Sequence, residues 1–371
     1  MYKQEQYLRY IADKYYESFD RQGHASAGHN GPHGHPDTPV RNTAHFVIIY
    51  MYLYKKYRDT KYLNISQKFV AYLCSKQKES KSGAIQCMYG GNFDNINGLI
   101  GQAWVIESLL YYYEIIQDKE VLETAEKIFL SQKYNWEQHL WHRIELDGKD
   151  IDIDPTSNHQ VWFAACSYKL IKYCEDEYIH SILSDFVANG ENTILHVHND
   201  GLLKHNVSCK HPIIRKLKLR ILIKRFLFFL KFWKPKTFDY KYIEYGYHIF
   251  DLYGLSIIKE QDPSLPLFKN TAYNKAINLA INMERLDRMN ASNSKTPNIY
   301  YYTYNSPAFE WPYVALVNGF YNKEETNILY ESQYNITFDS ESQEFSKNNP
   351  DIITWNARTY EIIRFLEAKY N

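Results

Sequence analysis

The chain has 371 residues, 45% of them hydrophobic, which is enough to bury a sizeable core and sets aside an intrinsically disordered protein. Lysine plus arginine equals aspartate plus glutamate, 43 of each, so no global field favours nucleic acid or acidic partners. The five cysteines are odd in number and show no CxxC spacing, so they signal neither a disulfide framework nor a zinc site and fit a reducing compartment.

In chain order, residues 1–20 read as a charged amphipathic helix without the apolar core and small-residue cleavage site of a secretory signal. No run reaches the roughly 18 uncharged apolar residues of a membrane span, and a cytoplasmic protein is expected. Apolar periodicity then predicts helices near 4–19, 42–58, 61–76, 97–116, 119–132, 157–174, 177–190, 240–259, 271–285, 307–320, 323–333 and 353–369. They come in pairs. In the pair at 97–132, Asn97-Gly98 opens a helix whose Leu99, Ala103, Ile106 and Leu110 repeat at three and four residues, and Gln117-Asp118-Lys119 turns it back. Strand signals are confined to Ile144-Glu145-Leu146 and Ile299-Tyr300-Tyr301, beside turn residues. A hairpin that cannot bury its own apolar face must be covered by the next one. The expected fold is therefore all-α, an (α/α)6 toroid of helical hairpins with minor strands in loops, formed by one domain over 1–371.

One stretch interrupts the array. Between Gly201 and Phe238 there is no acidic residue, while Leu219, Leu222, Ile223, Phe226, Phe229, Leu230 and Trp233 recur at helical spacing with Lys216, Arg220, Lys224 and Lys231 largely opposite. The segment 201–238 is a basic amphipathic insert, suited through 212–236 to peripheral contact with an anionic membrane, each basic residue adding about 1 kcal/mol. Packing on the toroid, or a patch for an anionic polymer, is the competing use; no nucleic-acid partner is expected for the chain as a whole.

Polar and aromatic residues cluster at the starts of alternate helices, where one ring would bring them to a shared funnel. The loop before the second helix supplies Arg41, whose planar fork can clamp a carboxylate, with Asn42 and His45 following; a metal site from His33 and His35 lacks a carboxylate-rich partner pattern. Asp94 precedes Asn97-Gly98 and is either an N-terminal cap or an acid poised to protonate a glycosidic oxygen. Asn158, His159, Gln160 and Trp162 open the next helix, with His159 a candidate base. Glu244, Tyr247 and His248 lie on a later helix. Tyr302, Glu310 and Trp311 follow, where a buried Glu310 beside a tryptophan gains proton affinity, and the last helix carries Arg358, readable also as a surface partner of Glu361. The 35 tyrosines and 7 tryptophans provide flat amphipathic rings of the kind sugars stack on, although an AT-rich genome also raises Tyr, Lys, Asn and Ile together.

The hairpin array, and the run FDNINGLIGQAWVIESLLYYYE followed by DKEVLETAEKIF in particular, resembles the six-hairpin glycosidase-like superfamily, whose members include unsaturated glucuronyl hydrolases, toroid polysaccharide lyases and sugar epimerases. Asp94 looks like the catalytic Asp of the hydrolases, and Asn158-His159 is similar to the Asn-His pair of the lyases, in which Asn neutralises a uronate carboxylate. The resemblance implies an enzyme acting on a uronate-containing poly- or oligosaccharide without a cofactor or metal. In the leading version it is a glycoside hydrolase with Asp94 as general acid or base, Glu310 as second carboxylate, and His159 and Arg41 on the substrate. The alternative is a lyase or uronate epimerase that abstracts a proton through His159, Tyr247 or Tyr302, with Arg41 and Asn158 on the enolate. A non-catalytic glycan-binding protein would use the same funnel without turnover.

Overall fold

The structure is a computed structural model and describes residues 2–90, 94–207, 240–282 and 298–370. Helices α1 (Lys3–Gln22), α2 (Val40–Tyr57), α3 (Thr60–Glu79), α4 (Gly98–Ile116) and α5 (Lys119–Leu130) lead into a small sheet. Its strands β1 (Tyr134–Asn135), β2 (Leu140–Ile144) and β3 (Asp150–Ile153) are antiparallel in the order β1-β2-β3. After it come α6 (Ser157–Ser167), α7 (Leu170–Tyr173), α8 (Glu177–Thr193), α9 (Tyr240–Gln261), α10 (Thr271–Ile281), α11 (Pro307–Val317) and α12 (Lys323–Thr337). The chain ends in α13 (Ile352–Arg358), a 3₁₀ turn (Thr359–Ile362) and α14 (Ile363–Tyr370).

The hairpins share a turn chemistry that is written in the sequence. Helix α2 stops at Arg58 (φ 58°) and α4 at Gln117 (φ 63°), both left-handed, and the next residue is an aspartate whose side chain caps the returning helix. Asp59 accepts the Lys61 amide and Asp118 the Glu120 amide, and Asp176 and Asn322 do the same for α8 and α12. Each cap is worth about 1 kcal/mol and fixes where the chain turns back.

The members of a pair then differ in burial. Every residue of α4 from Gly98 to Tyr112 is buried, whereas α5 buries one stripe, Val121, Leu122, Thr124, Ala125, Ile128 and Phe129. A helix apolar on all sides must be surrounded; a one-sided helix faces water. The fully buried helices form an inner ring in which α2 packs on α4, α4 on α6, α6 on α9, α9 on α11, and α11 on the 3₁₀ turn and α14, with α13 returning to α2. The ring is closed, and α3, α5, α8, α10, α12 and α1 stand outside it.

Three expectations change. The helix foreseen over 157–174 breaks after Ser167, where Lys169 and Tyr173 are drawn to Glu114 of α4 at 2.7 and 2.8 Å. The last helix tightens into a 3₁₀ turn where the buried Thr359 hydroxyl donates to the Asn356 carbonyl, 2.6 Å away. Residues 299–301 form a turn, not a strand, because Asn298 accepts the Tyr300 amide (2.9 Å) and Asn305 donates to the Tyr300 carbonyl (2.7 Å), leaving no free ladder edge. The amphipathic helix foreseen near 212–236 lies outside the described residues, as does the part of the 271–285 helix beyond residue 282; among the described residues no helix is long and apolar enough to cross a membrane.

At the base of the ring, Glu107 of α4 accepts from Arg364 of α14 (2.7 Å) and from the Tyr360 hydroxyl (2.8 Å), stapling the last hairpin to the second. Removing one partner leaves a buried charge uncompensated. Glu107→Ala should therefore lower unfolding free energy by about 3–5 kcal/mol in urea titration, whereas Lys78→Ala, which breaks an exposed pair with Glu120, should change it by less than about 1 kcal/mol.

Candidate functional site

The N-terminal halves of the inner helices, with the loops before them, enclose an axial cavity of about 200 Å³. One side is built by α4 and α6. Asn97 (φ 59°) and Gly98 (φ 55°) are both left-handed, and this turns the first amides of α4 toward two carboxylates. The Asp94 carboxylate accepts the Gly98 amide at 2.5 Å, with Arg143 of β2 at 3.6 Å. Asp154, between β3 and α6, accepts the Thr156 amide at 3.0 Å, the Leu99 amide at 3.3 Å and Nδ1 of His159 at 2.8 Å.

These environments push the two carboxyls apart. Burial alone would raise Asp154, but His159, Arg143 and the Thr156 amide outweigh it and hold the group below the usual carboxylate range. For Asp94 burial prevails over the Gly98 amide and Arg143, and its proton affinity is raised. Because an ionised Asp154 only accepts, the proton between it and His159 sits on Nδ1, which turns the other ring nitrogen, Nε2, away from the carboxylate. A Cβ at position 98 would lie 2.6 Å from Asp154 Oδ2 and 2.8 Å from His159 Nδ1, so only glycine fits beneath the pair.

The other side comes from the loop before α2 and from α9, α11 and α13. Asn30, left-handed at φ 59°, accepts at Oδ1 from Arg41 Nη1 and from the Tyr304 hydroxyl, each at 2.7 Å. Asp351 pins this loop by accepting the amides of His29 (2.9 Å) and Gly31 (3.0 Å). Arg41 is 1% exposed, stacks 4.2 Å over Trp104 and lies 3.5 Å from Asp37; its Nε and Nη2 have no hydrogen-bond partner among the described residues. Arg358 is fully engaged: it donates to Glu310 and Glu361, to Asn305 and to the Tyr304 carbonyl. Tyr247 of α9 meets His33 Nε2 at 2.9 Å, and His205, driven down to about 4 by burial, completes the lining.

Of the residues singled out in the sequence, the cavity brings together Arg41, Asp94, Asn97, Asn158, His159, Tyr247 and Arg358. The others lie behind it. Glu310 is buried under Arg358, Ser306 and Glu361, and burial together with Glu361 raises its proton affinity without opening it to the cavity. Gln160 bridges Trp141 and the Asp154 carbonyl; Glu244 holds His198 at 2.8 Å and the His205 amide at 3.1 Å. Asn42 donates to the Ser26 carbonyl, His45 stacks on Tyr360 at 4.6 Å, His248 contacts the Ala276 carbonyl at 3.1 Å, and Trp162 and Trp311 donate to the carbonyls of Phe250 and Ala280. Tyr302 is buried, and its carbonyl serves Gln333 and Trp355. Sequence reasoning passed over Asp154, His205, Arg143, Asn30 and Tyr304. Asp154 had a readable signal, an aspartate just before a helix that carries a histidine; the others sit in loops or strands without a periodic context. Among the described residues no group of three or more His, Cys, Asp or Glu is arranged to hold a metal ion.

Two predictions follow from this packing. Gly98→Ala should leave the protein folded yet separate His159 from Asp154, read by NMR as loss of the hydrogen-bonded Nδ1 proton of His159. Burial also lowers His248 to about 4, as it does His205. Each of these two histidines therefore binds fewer protons in the folded state than in the unfolded chain between about pH 4 and 6.5 and contributes stability that rises with pH, opposed in the same window by Asp37, which burial raises to about 6. Thermal melts of the wild type and of His248→Gln should diverge across that window, the variant lacking a contribution that is lost as pH drops from about 6.5 to 4 and is on the order of 3 kcal/mol.

No family model matches the sequence. A curated relative, Archaeal glycosylation protein Q of Haloferax volcanii, is 27% identical over 353 residues and covers 92% of each chain. Among solved structures, cellobiose 2-epimerase from Bacillus thermoamylovorans B4167 superposes on 96% of this chain and 100% of its own, with a TM-score of 0.62 at 13% identity. A glycosyl hydrolase family 88 protein from Bacteroides vulgatus superposes over the full length of both chains, with a TM-score of 0.51 at 11% identity. The chain thus has an α/α toroid fold of helical hairpins, the fold of these two solved structures.

Proposed function

We propose that this protein is a carbohydrate-active enzyme that moves a proton at a carbon next to the carboxylate of a uronate residue, epimerising it, with His159 as the base. The observation that carries this reading is the Asp154–His159 pair, 2.8 Å apart in the lining of the axial cavity: Asp154 holds Nδ1 and orients the ring, and Nε2 is the nitrogen that would take the substrate proton. The unpaired Nε and Nη2 of Arg41 form the side-on fork of the guanidinium, a match for the two oxygens of a carboxylate, and Asn158 adds an amide. The base takes the carbon-bound proton, the electron pair moves into the carboxylate, and Arg41 and Asn158 hold the enediolate that results. Tyr247, hydrogen-bonded to His33 and set on another helix, is placed to return a proton from a different direction. Loss of a neighbouring oxygen substituent from the same enediolate would make the outcome elimination. The name of the Haloferax relative, a glycosylation protein, supports a glycan substrate, and the 2-epimerase likeness supports retention of the sugar's bonds.

Hydrolysis is the second reading. One observation favours it: burial raises the proton affinity of Asp94, as a general acid requires. Against it, the second carboxylate it calls for is not free, since Glu310 is bound to Arg358 and Asp154 is spent on His159 and two amides.

Glucuronate-containing oligosaccharides incubated with the protein in D2O, with cellobiose as a neutral comparison, should gain deuterium at the carbon beside the carboxylate, seen by NMR. His159→Asn should cut exchange by about 10²–10⁴-fold, while Asp94→Asn should keep most of it. Release of reducing ends that vanishes in Asp94→Asn and survives in His159→Asn would replace this reading with hydrolysis.

A further inference from the structure

A second groove lies on the outer wall of the toroid, between α1 and α12, with a volume of about 530 Å³ against about 200 Å³ for the axial cavity. Its floor and walls are rings at helical spacing: Tyr7 and Tyr10 from α1, Tyr330 and Tyr334 from α12, and Phe338 just beyond. Tyr7 and Tyr330 are buried at the base, whereas Tyr10 and Tyr334 are 39% and 38% exposed. Tyr334 stacks on Phe338 with centroids 4.2 Å apart, which stiffens that wall. The reaction proposed for the axial cavity uses none of these residues.

Two features decide what fits there. The charges along the groove are already matched, Lys3 with Glu331 and, beside Tyr10, Lys14 with Glu344 at 2.8 Å, so the groove offers no net charge to a ligand. Two amide side chains, Gln6 and Gln343, also line the groove; Gln343 donates its Nε2 to the Ser340 carbonyl at 2.6 Å, while Gln6 stands beside Tyr7 with a polar group for a ligand's hydroxyl edge. An uncharged ligand with apolar faces and hydroxyl edges matches both features, whereas a protein partner of ordinary size needs a larger and more continuous apolar surface than this.

We infer that the α1–α12 groove is a second carbohydrate site, which binds a stretch of neutral oligosaccharide by stacking it on Tyr10 and Tyr334, apart from the axial cavity. Such a site would hold the full glycan on the enzyme while a single unit occupies the axial cavity.

The test is titration of the full chain with cellotetraose and with α-1,6-mannotetraose by calorimetry and saturation-transfer NMR. At least one tetrasaccharide should bind. The Tyr10→Ala/Tyr334→Ala variant should bind it about tenfold or more weakly, Tyr10→Phe/Tyr334→Phe should retain binding, and His159→Asn should leave it unchanged, with circular dichroism confirming that each variant is folded. Wild-type affinity in the double alanine variant would overturn the inference, as would failure of both tetrasaccharides to bind. Sedimentation showing that the alanine pair breaks up an oligomer would overturn it too, assigning the face to self-contact.

Discussion

Asp154 joins two inner helices at the point where the cavity is built. Its carboxylate receives the Leu99 amide of α4, the Thr156 amide just before α6 and the imidazole at the start of α6, so one buried charge fixes the relative position of both helix ends. Helix N-termini favour negative charge, and a carboxylate held by several donors stays ionised when burial alone would protonate it. That carboxylate in turn places a proton on Nδ1 of His159 and fixes the orientation of the ring. The rest of the site is arranged around this pair: Gly98 leaves room for it, Asp94 takes the neighbouring amide, and Arg143 balances both acids.

The two buried arginines of the cavity show how identical side chains acquire different work. Arg358 sits between Glu310 and Glu361 and has a partner for every nitrogen, so it serves as a strut that anchors α11 to α13 and supports the Tyr304 backbone. Arg41 stacks on Trp104 and spends one terminal nitrogen on Asn30, keeping two donors unpaired in a nearly inaccessible position. Burying unpaired donors costs free energy, and a bound anion would recover it. At the opposite end of the ring, Glu107 and Arg364 form another buried pair, so the toroid is tied by charge at both ends of its axis.

The outer and inner helices divide the labour of stability. Outer helices carry caps, one-sided apolar stripes and solvent-facing ion pairs, each a small increment set by local sequence. Inner helices carry little amphipathic signal, because they are covered on every side and their stability comes from neighbours. This is why Gly31 and Gly246 come so close to tyrosines 304 and 300: a Cβ would meet their atoms at 2.2 and 2.5 Å.

What the sequence by itself determined was the helix pairs, their turns and the all-α toroid they close into, since apolar period, left-handed stops and aspartate caps are all local properties. It also marked Arg41, Asp94, Asn158, His159 and Tyr247, because a helix start carrying polar residues in an apolar pattern stands out. Only the tertiary structure decided which polar residues reach the axis. Glu310 and Arg358 read alike as candidates, yet one lies beneath the other, and Asp154, His205 and Asn30 enter from loops whose positions depend on partners far along the chain. A helix start fixes the height of a side chain along the toroid; its direction is set by the two inner helices packed on either side, and those contacts join residues distant in sequence.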